Sequence, residues 1–217
     1  MNRRSAIEPA LAIGLVVAGI SMVAPSRADD KDDFQPLFNG KDLQGWEATQ
    51  PELWSVRDGM IIGKQGKNQL KKNTFLAAKG NYTDFVLKVS VRLVRDEGNS
   101  GIQFRTRILP DGTARGYQAD VAKGFWGLLL EEGSPNRLII KRPAPEAVKH
   151  VKPGEWNDYE ITAKRHHITL VLNGIQSVDL EDPAGDLSGV IALQLHVGPA
   201  VEVQYKDIKI KVLSREP

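Results

Sequence analysis

Asp84-Phe85-Val86-Leu87-Lys88-Val89-Ser90-Val91-Arg92-Leu93 alternates along its length. Phe85, Leu87, Val89, Val91 and Leu93 fall on one side of an extended chain, and Lys88, Ser90 and Arg92 on the other. That is the period of a half-buried β-strand. Residues 102–108 repeat it, with Ile102, Phe104 and Ile108 opposite Gln103, Arg105 and Arg107. Working outward, further strands are expected at 117–121, 126–131, 136–141, 156–164, 167–172, 176–180, 190–197 and 201–212. Asp58-Gly59, Pro110-Asp111-Gly112, Lys152-Pro153-Gly154 and Asn173-Gly174 supply turn signals between strands. No stretch sustains a helical period over three turns. Many short strands with regular turns predict an all-β chain folded as a sandwich or jelly roll. Residues 34–217 show no internal repeat and no linker, so one domain is expected.

The N-terminus reads differently. Arg3 and Arg4 form a basic start, 10–24 is almost wholly apolar, and Ser26-Arg27-Ala28 places small residues at the −3 and −1 positions of a cleavage site. The apolar run is short for a membrane span, so residues 1–28 are expected to be a signal peptide. Arg3-Arg4 also fits a twin-arginine signal, although two arginines suit any such leader. Residues 29–33 then form a charged stub, expected to be disordered. The reading makes the protein exported, either periplasmic or secreted.

The whole chain carries 29 basic and 27 acidic side chains, and losing Arg3, Arg4, Arg27 and Glu8 with the leader leaves 26 of each. A neutral domain lacks the basic field that nucleic acid requires. No second long apolar run follows, which disfavours a membrane span after leader removal. Without cysteine there are no disulfides and no lipidated N-terminal thiol.

Polar residues at i and i+2 share a strand face. Gln103, Arg105 and Arg107 do so, as do Gln118 and Asp120 against Tyr117, Ala119 and Val121, and Gln194 and His196 against Ile191, Leu193 and Leu195. Amide, guanidinium, carboxylate and imidazole groups suit sugar hydroxyls and proton transfer. A solvated face with no site is the other reading of this pattern. Asn99-Ser100-Gly101 is composed of turn formers. Trp126 with Glu131 and Glu132 would offer an aromatic plate and two carboxylates, although a lone Trp is more often core. His166, His167 and His150 read as surface, whereas His196 ends an apolar strand before Gly198-Pro199. No zinc signature, phosphate loop or nucleophile elbow is present.

One ordered set of landmarks resembles a known family. Leu37-Phe38-Asn39-Gly40-Lys41-Asp42-Leu43-Gln44-Gly45-Trp46 opens it, followed by Trp54-Ser55-Val56-Arg57-Asp58-Gly59 and Gly98-Asn99-Ser100-Gly101-Ile102-Gln103-Phe104-Arg105. Gly116-Tyr117-Gln118-Ala119-Asp120-Val121, Gly154-Glu155-Trp156-Asn157-Asp158-Tyr159-Glu160 and Leu172-Asn173-Gly174 come next, then Leu193-Gln194-Leu195-His196 and Val203 to Ile210. From about Phe34 to Val212 the chain is similar to the 3-keto-disaccharide hydrolase domain family. The resemblance implies a two-sheet antiparallel jelly roll of the concanavalin/laminin-G type, with its site on the concave sheet. It implies action on glycosides already oxidised at C3. Many members carry Tyr-Glu-x-Gln where this chain has Tyr117-Gln118-Ala119-Asp120, so an amide stands in for the first carboxylate. Asp120 shares its face and can take its place. The stretch 124–132 also differs from the commonest form.

A C3 ketone acidifies the C2 proton, so a base can remove it and the aglycone can leave C1 by elimination, with water adding afterwards. No oxocarbenium route is required. On this reading Asp120 or His196 is the base, Arg105 polarises the ketone, and Glu131 or Glu132 protonates the leaving oxygen. Asn99, Gln103, Gln118, Trp126 and Gln194 position the sugar. Asp120, Glu131, Glu132 and His196 are also of the type that binds a divalent metal, with no spacing that demands one. The alternative is a non-catalytic carbohydrate-binding domain on the same fold, since fold alone does not set function. A third reading is an interaction module of a surface assembly.

Overall fold

The computed structural model describes residues 33–65, 70–133 and 139–214. The expected leader (1–28), residues 29–32 of the stub, and residues 136–138 of one expected strand lie outside the described residues. Among the described residues no helix is long and apolar enough to cross a membrane.

In chain order the strands are β1 (Gln35–Pro36), β2 (Trp46–Ala48), β3 (Trp54–Arg57), β4 (Met60–Lys64), β5 (Thr74–Ala78), β6 (Phe85–Leu93), β7 (Asn99–Ile108) and β8 (Ala114–Ala122). They continue with β9 (Leu129–Glu132), β10 (Ile140–Lys141), β11 (Asn157–Lys164), β12 (His167–Leu172), β13 (Ile175–Glu181), β14 (Val190–Leu195) and β15 (Glu202–Val212). One five-residue helix, Pro145–Lys149, interrupts them. All pairings are antiparallel, in two sheets. The back sheet runs β13-β12-β11-β6-β15-β4-β3, with β1 on β15, and the front sheet runs β10-β9-β8-β7-β14-β5-β2. This is the antiparallel two-sheet jelly roll that the strand pattern and the resemblance imply.

The alternation of 84–93 explains the core. Every second residue of β6 is buried, from Phe85 to Leu93. These side chains meet Ile102, Phe104, Tyr117, Ala119, Val121, Leu193 and Leu195 of the front sheet. Phe85 meets Phe104 edge-on at 6.3 Å, and Phe104 stacks on Tyr117 at 5.5 Å. Each large side chain so buried contributes roughly 1.5–3 kcal/mol.

The alternation fails at one place. Between Phe104 and Arg107 the pairing of β7 with β8 jumps, so that Arg105 and Thr106 together oppose Gly116. Arg105 has φ 47°, and a Cβ on Gly116 (φ 151°) would lie 2.4 Å from Thr106 Oγ1. This is a β-bulge, and the extra residue re-aims the side chains beside it. Gln103 and Arg105, expected on one face, are thereby parted.

Candidate active site

Directly paired residues of neighbouring strands share a face. Gln103 pairs with Gln118, and Gly101 with both Asp120 and Gln194. Glu132 lies two residues along β9 from Leu130, which pairs with Gln118. The outer face of the front sheet therefore collects Gln103, Gln118, Asp120, Glu132 and Gln194. On a flat sheet about 14 Å, three strand spacings, would separate β9 from β14. Glu132 nevertheless accepts a bond from Gln194 Nε2 at 3.0 Å, so the sheet curls toward this face.

Glu132 anchors the cluster. Its Oε2 accepts from Gln103 Nε2 at 2.5 Å as well as from Gln194, and its Oε1 accepts from Asn73 Nδ2 at 2.8 Å. Burial holds its carboxyl above the usual glutamate value, against the lowering effects of Asn73, Gln103 and nearby His196. Gln103 is saturated: it donates also to Gln118 Oε1 at 2.6 Å and accepts from Thr106 Oγ1 at 3.0 Å.

Asp120 is only 4 % exposed. Its Oδ1 accepts the Val121 amide at 3.0 Å and a long contact of 3.4 Å from Gln118 Nε2. No bond to Oδ2 is found among the described residues. Burial pushes this carboxyl up to about 7, with Val121 and Gln118 opposing and Glu132 reinforcing. A carboxylate of that basicity, with one oxygen open, suits a general base near neutral pH.

Two acceptors complete the cluster. Asn99 Oδ1 and Gln194 Oε1 are buried with no hydrogen-bond partner among the described residues. Buried polar atoms are normally satisfied, so these two unpartnered acceptors beside Asp120 and Glu132 are candidates to meet donors supplied from outside the chain. His196 stands half-buried beyond β14, its amide bonded to Asn99 O at 3.3 Å. Its Nδ1 lies 2.5 Å from Val197 O, a carbonyl that can only accept, so Nδ1 is the donor and Nε2 makes no such bond among the described residues. Gly101 forms the floor: a Cβ there would lie 2.4 Å from Gln118 Cδ.

Four expectations are corrected. Arg105 does not face the site. It is 1 % exposed, with Nε and Nη2 donating to Thr83 O at 2.9 and 2.8 Å, Nη1 to Arg165 O at 2.7 Å, and Nη2 paired with Asp84 Oδ1 at 3.1 Å. The bulge turns it into the fold as a structural cation. Trp126 is no sugar plate: it is 3 % exposed in the core, stacked on Tyr159 at 6.3 Å, with Nε1 3.4 Å from Asp96 Oδ1. Glu131 pairs with Tyr117 and so leaves β9 on the side opposite Glu132. Consecutive strand residues must part in this way. Arg107, expected beside Gln103, is exposed and pairs with Asp186 at 2.8 Å.

The metal donors suggested by the sequence do not converge. Glu131 is on the other face, both Glu132 oxygens are held by amide donors, and no three His, Asp or Glu side chains among the described residues could hold an ion.

Sequence reasoning missed Asn73 and Tyr159. Asn73 follows Lys71-Lys72 and reads as a turn residue, yet it clamps Glu132 and accepts the Val197 amide at 2.9 Å. Tyr159 reads as core, but its hydroxyl donates to Asp120 O at 2.5 Å and accepts the Gly127 amide at 2.7 Å. A buried tyrosine needs such a partner, and that need was its only signal.

Residues 33–211 match the model of the 3-keto-alpha-glucoside-1,2-lyase-like domain. The chain belongs to this family. No curated protein matches the chain in sequence. Among solved structures it is similar to a candidate glycosyl hydrolase from Parabacteroides distasonis, at 24 % identity and TM-score 0.63, over 83 % of this chain and 94 % of that one. It is also similar to a carbohydrate-binding module from Bacillus subtilis (15 % identity, TM-score 0.59, 77 % and 95 % covered). A third likeness is to a β-1,3-1,4-glucanase derived from a mouse hindgut metagenome (11 % identity, TM-score 0.59, 83 % and 98 % covered). At these identities the likenesses establish the fold.

Proposed function

We propose that this member of the 3-keto-alpha-glucoside-1,2-lyase-like family is an exported enzyme that cleaves glycosides oxidised at C3. The observation that carries the reading is Asp120, a buried carboxylate of the outer-face cluster whose pKa burial pushes up to about 7 and whose bonds among the described residues all fall on Oδ1. Asp120 takes the C2 proton. The C2–H electrons form an enolate with negative charge on the C3 oxygen; its collapse restores the ketone and makes the C1=C2 double bond as the C1–O bond breaks, and the aglycone oxygen takes a proton back from Asp120. Water then adds across the double bond, so the net change is hydrolysis.

The chain's other groups support that sequence. Gln118 Nε2, committed only to the 3.4 Å contact with Asp120, is the donor for the C3 oxygen as negative charge develops there. It takes the part first expected of Arg105. Asn99 Oδ1 and Gln194 Oε1 accept sugar hydroxyls. Glu132, fixed by three amides, holds the cluster together, and its like charge adds to the burial that keeps Asp120 basic. His196, just beyond the end of β14, is the second candidate base.

Incubating the mature protein with 3-keto-maltose or 3-keto-trehalose is expected to release the 3-keto monosaccharide. No release from either would remove the catalytic reading. A binding domain without turnover is favoured by one observation, the amide Gln118 at the position where many members carry a carboxylate. It requires that plain glucans bind and that Asp120→Asn leave their affinity unchanged.

A further inference from the structure

The row of residues through Gln103 and Gln118 does not end at the cluster. Gln118 pairs with Leu130, and Leu130 with Ile140, so both aliphatic side chains stand on the site's face. Leu130 is half-buried, and Ile140 is 56 % exposed. β10 is the edge of the front sheet. Edge strands usually carry charge on their open side. Here the order is reversed: Lys141 pairs with Leu129 and leaves on the other face, while the isoleucine is presented beside the polar cluster.

We propose that Leu130 and Ile140 form the subsite for the leaving group, and that it takes an aryl aglycone in preference to a second sugar. The inference rests on the assignment of Asp120 as the base. Polarity along the row changes abruptly, from amides on β7 and β8 to aliphatics on β9 and β10. β10 lies about 10 Å, two strand spacings, from β8, one ring beyond the reacting centre. A second sugar would set its hydroxyls over side chains that offer neither donor nor acceptor, and leaving them unpaired weakens binding. An aryl ring suffers no such loss and covers aliphatic surface now in water.

Calorimetry with the unoxidised ligands 4-nitrophenyl α-glucoside and maltose reads this subsite without turnover. The aryl ligand is expected to bind at least ~10-fold more tightly, the lower end of what an apolar contact discriminates. Ile140→Asn is expected to remove most of that preference by weakening the aryl ligand without weakening maltose, and Ile140→Leu to retain it. Ile140 is exposed, so neither variant threatens folding. Equal affinities, absence of binding by the aryl ligand, or an Ile140→Asn effect shared by both ligands would overturn the proposal. The 3-keto forms of the same pair separate it from the catalytic reading. Aryl preference without turnover removes the catalytic reading alone, whereas turnover without aryl preference removes the subsite alone.

Discussion

Arg105 and Asp120 lie on neighbouring strands, and both are charged and almost wholly buried, at 1 % and 4 % exposure. Arg105 spends its guanidinium on two backbone carbonyls and Asp84. Asp120 receives one amide and one long contact, both at the same oxygen. Burial alone therefore does not separate a structural charge from a chemical one; the degree of satisfaction does. A buried ion with each of its nitrogens engaged is locked, and breaking the lock is costly. A buried carboxylate with an open oxygen keeps a raised pKa and a lone pair ready to use.

Removing each charge sharpens this contrast. Asp120→Asn keeps the shape and loses the base. Turnover of 3-keto-maltose is expected to fall ~10²- to 10⁴-fold, the usual weight of a general base, with the protein still folded by circular dichroism. Unchanged turnover would place the base elsewhere, His196 being next.

Arg105→Ala should do the reverse. It leaves the buried Asp84 carboxylate without its counter-charge and removes three bonds to the Thr83 and Arg165 carbonyls, at a cost of roughly 3–5 kcal/mol. For a domain of this size that lowers Tm by about 6–20 °C. The rate per folded molecule, measured well below Tm, should match the parent. A loss of rate without a loss of Tm would restore Arg105 to the chemistry.

The same two residues show what the sequence makes legible. The strands of 84–93, 157–164 and 167–172 declare themselves by period, because one face meets the core and the other water. The face shared by Gln118 and Asp120 follows from the same period, whereas His196 falls just beyond the end of β14. Arg105 was misplaced because a bulge adds a residue without changing composition, and its only sign was Gly116 on the strand opposite. Trp126 and Glu131 were misplaced where 126–131, read as one strand, is a turn followed by β9. Asn73 was invisible because its partner Glu132 lies far along the chain and the pairing of sheet edges is not written locally.

Stability against pH tests the imbalance at Asp120 directly. Its folded value, about 7, stands above the ordinary 3.8, so the native state holds a proton that the unfolded chain has lost between those values. Stability then falls as pH rises through that window, by up to roughly 4 kcal/mol for three units. Glu132, also raised, contributes with the same sign. Asp120→Asn should therefore be more stable than the parent at pH 8 and no more stable below pH 4, read as chemical denaturation midpoints. A constant difference across pH would mean that Asp120 titrates normally.

The smallest effect probes the floor of the cluster rather than its charges. Gly101 pairs with Asp120 and lies beneath Gln118, so that the amide can lie flat against the strand. A methyl group at this position meets Gln118 Cδ, Cγ and Nε2 at 2.4, 2.6 and 2.7 Å. The obstruction is a side chain and not backbone, and Gly101 is not among the glycines with positive φ, so Gly101→Ala can fold by moving Gln118 aside. The move withdraws Nε2 from the C3 oxygen while Asp120 keeps its backbone bond to Val121. Turnover is expected to fall on the order of tenfold, less than the 10²-fold that deleting an oxyanion donor outright brings, with Tm nearly unchanged. If Gly101→Ala lowers Tm sharply and leaves kcat alone, the glycine serves packing, and Gln118 is not the donor to the ketone.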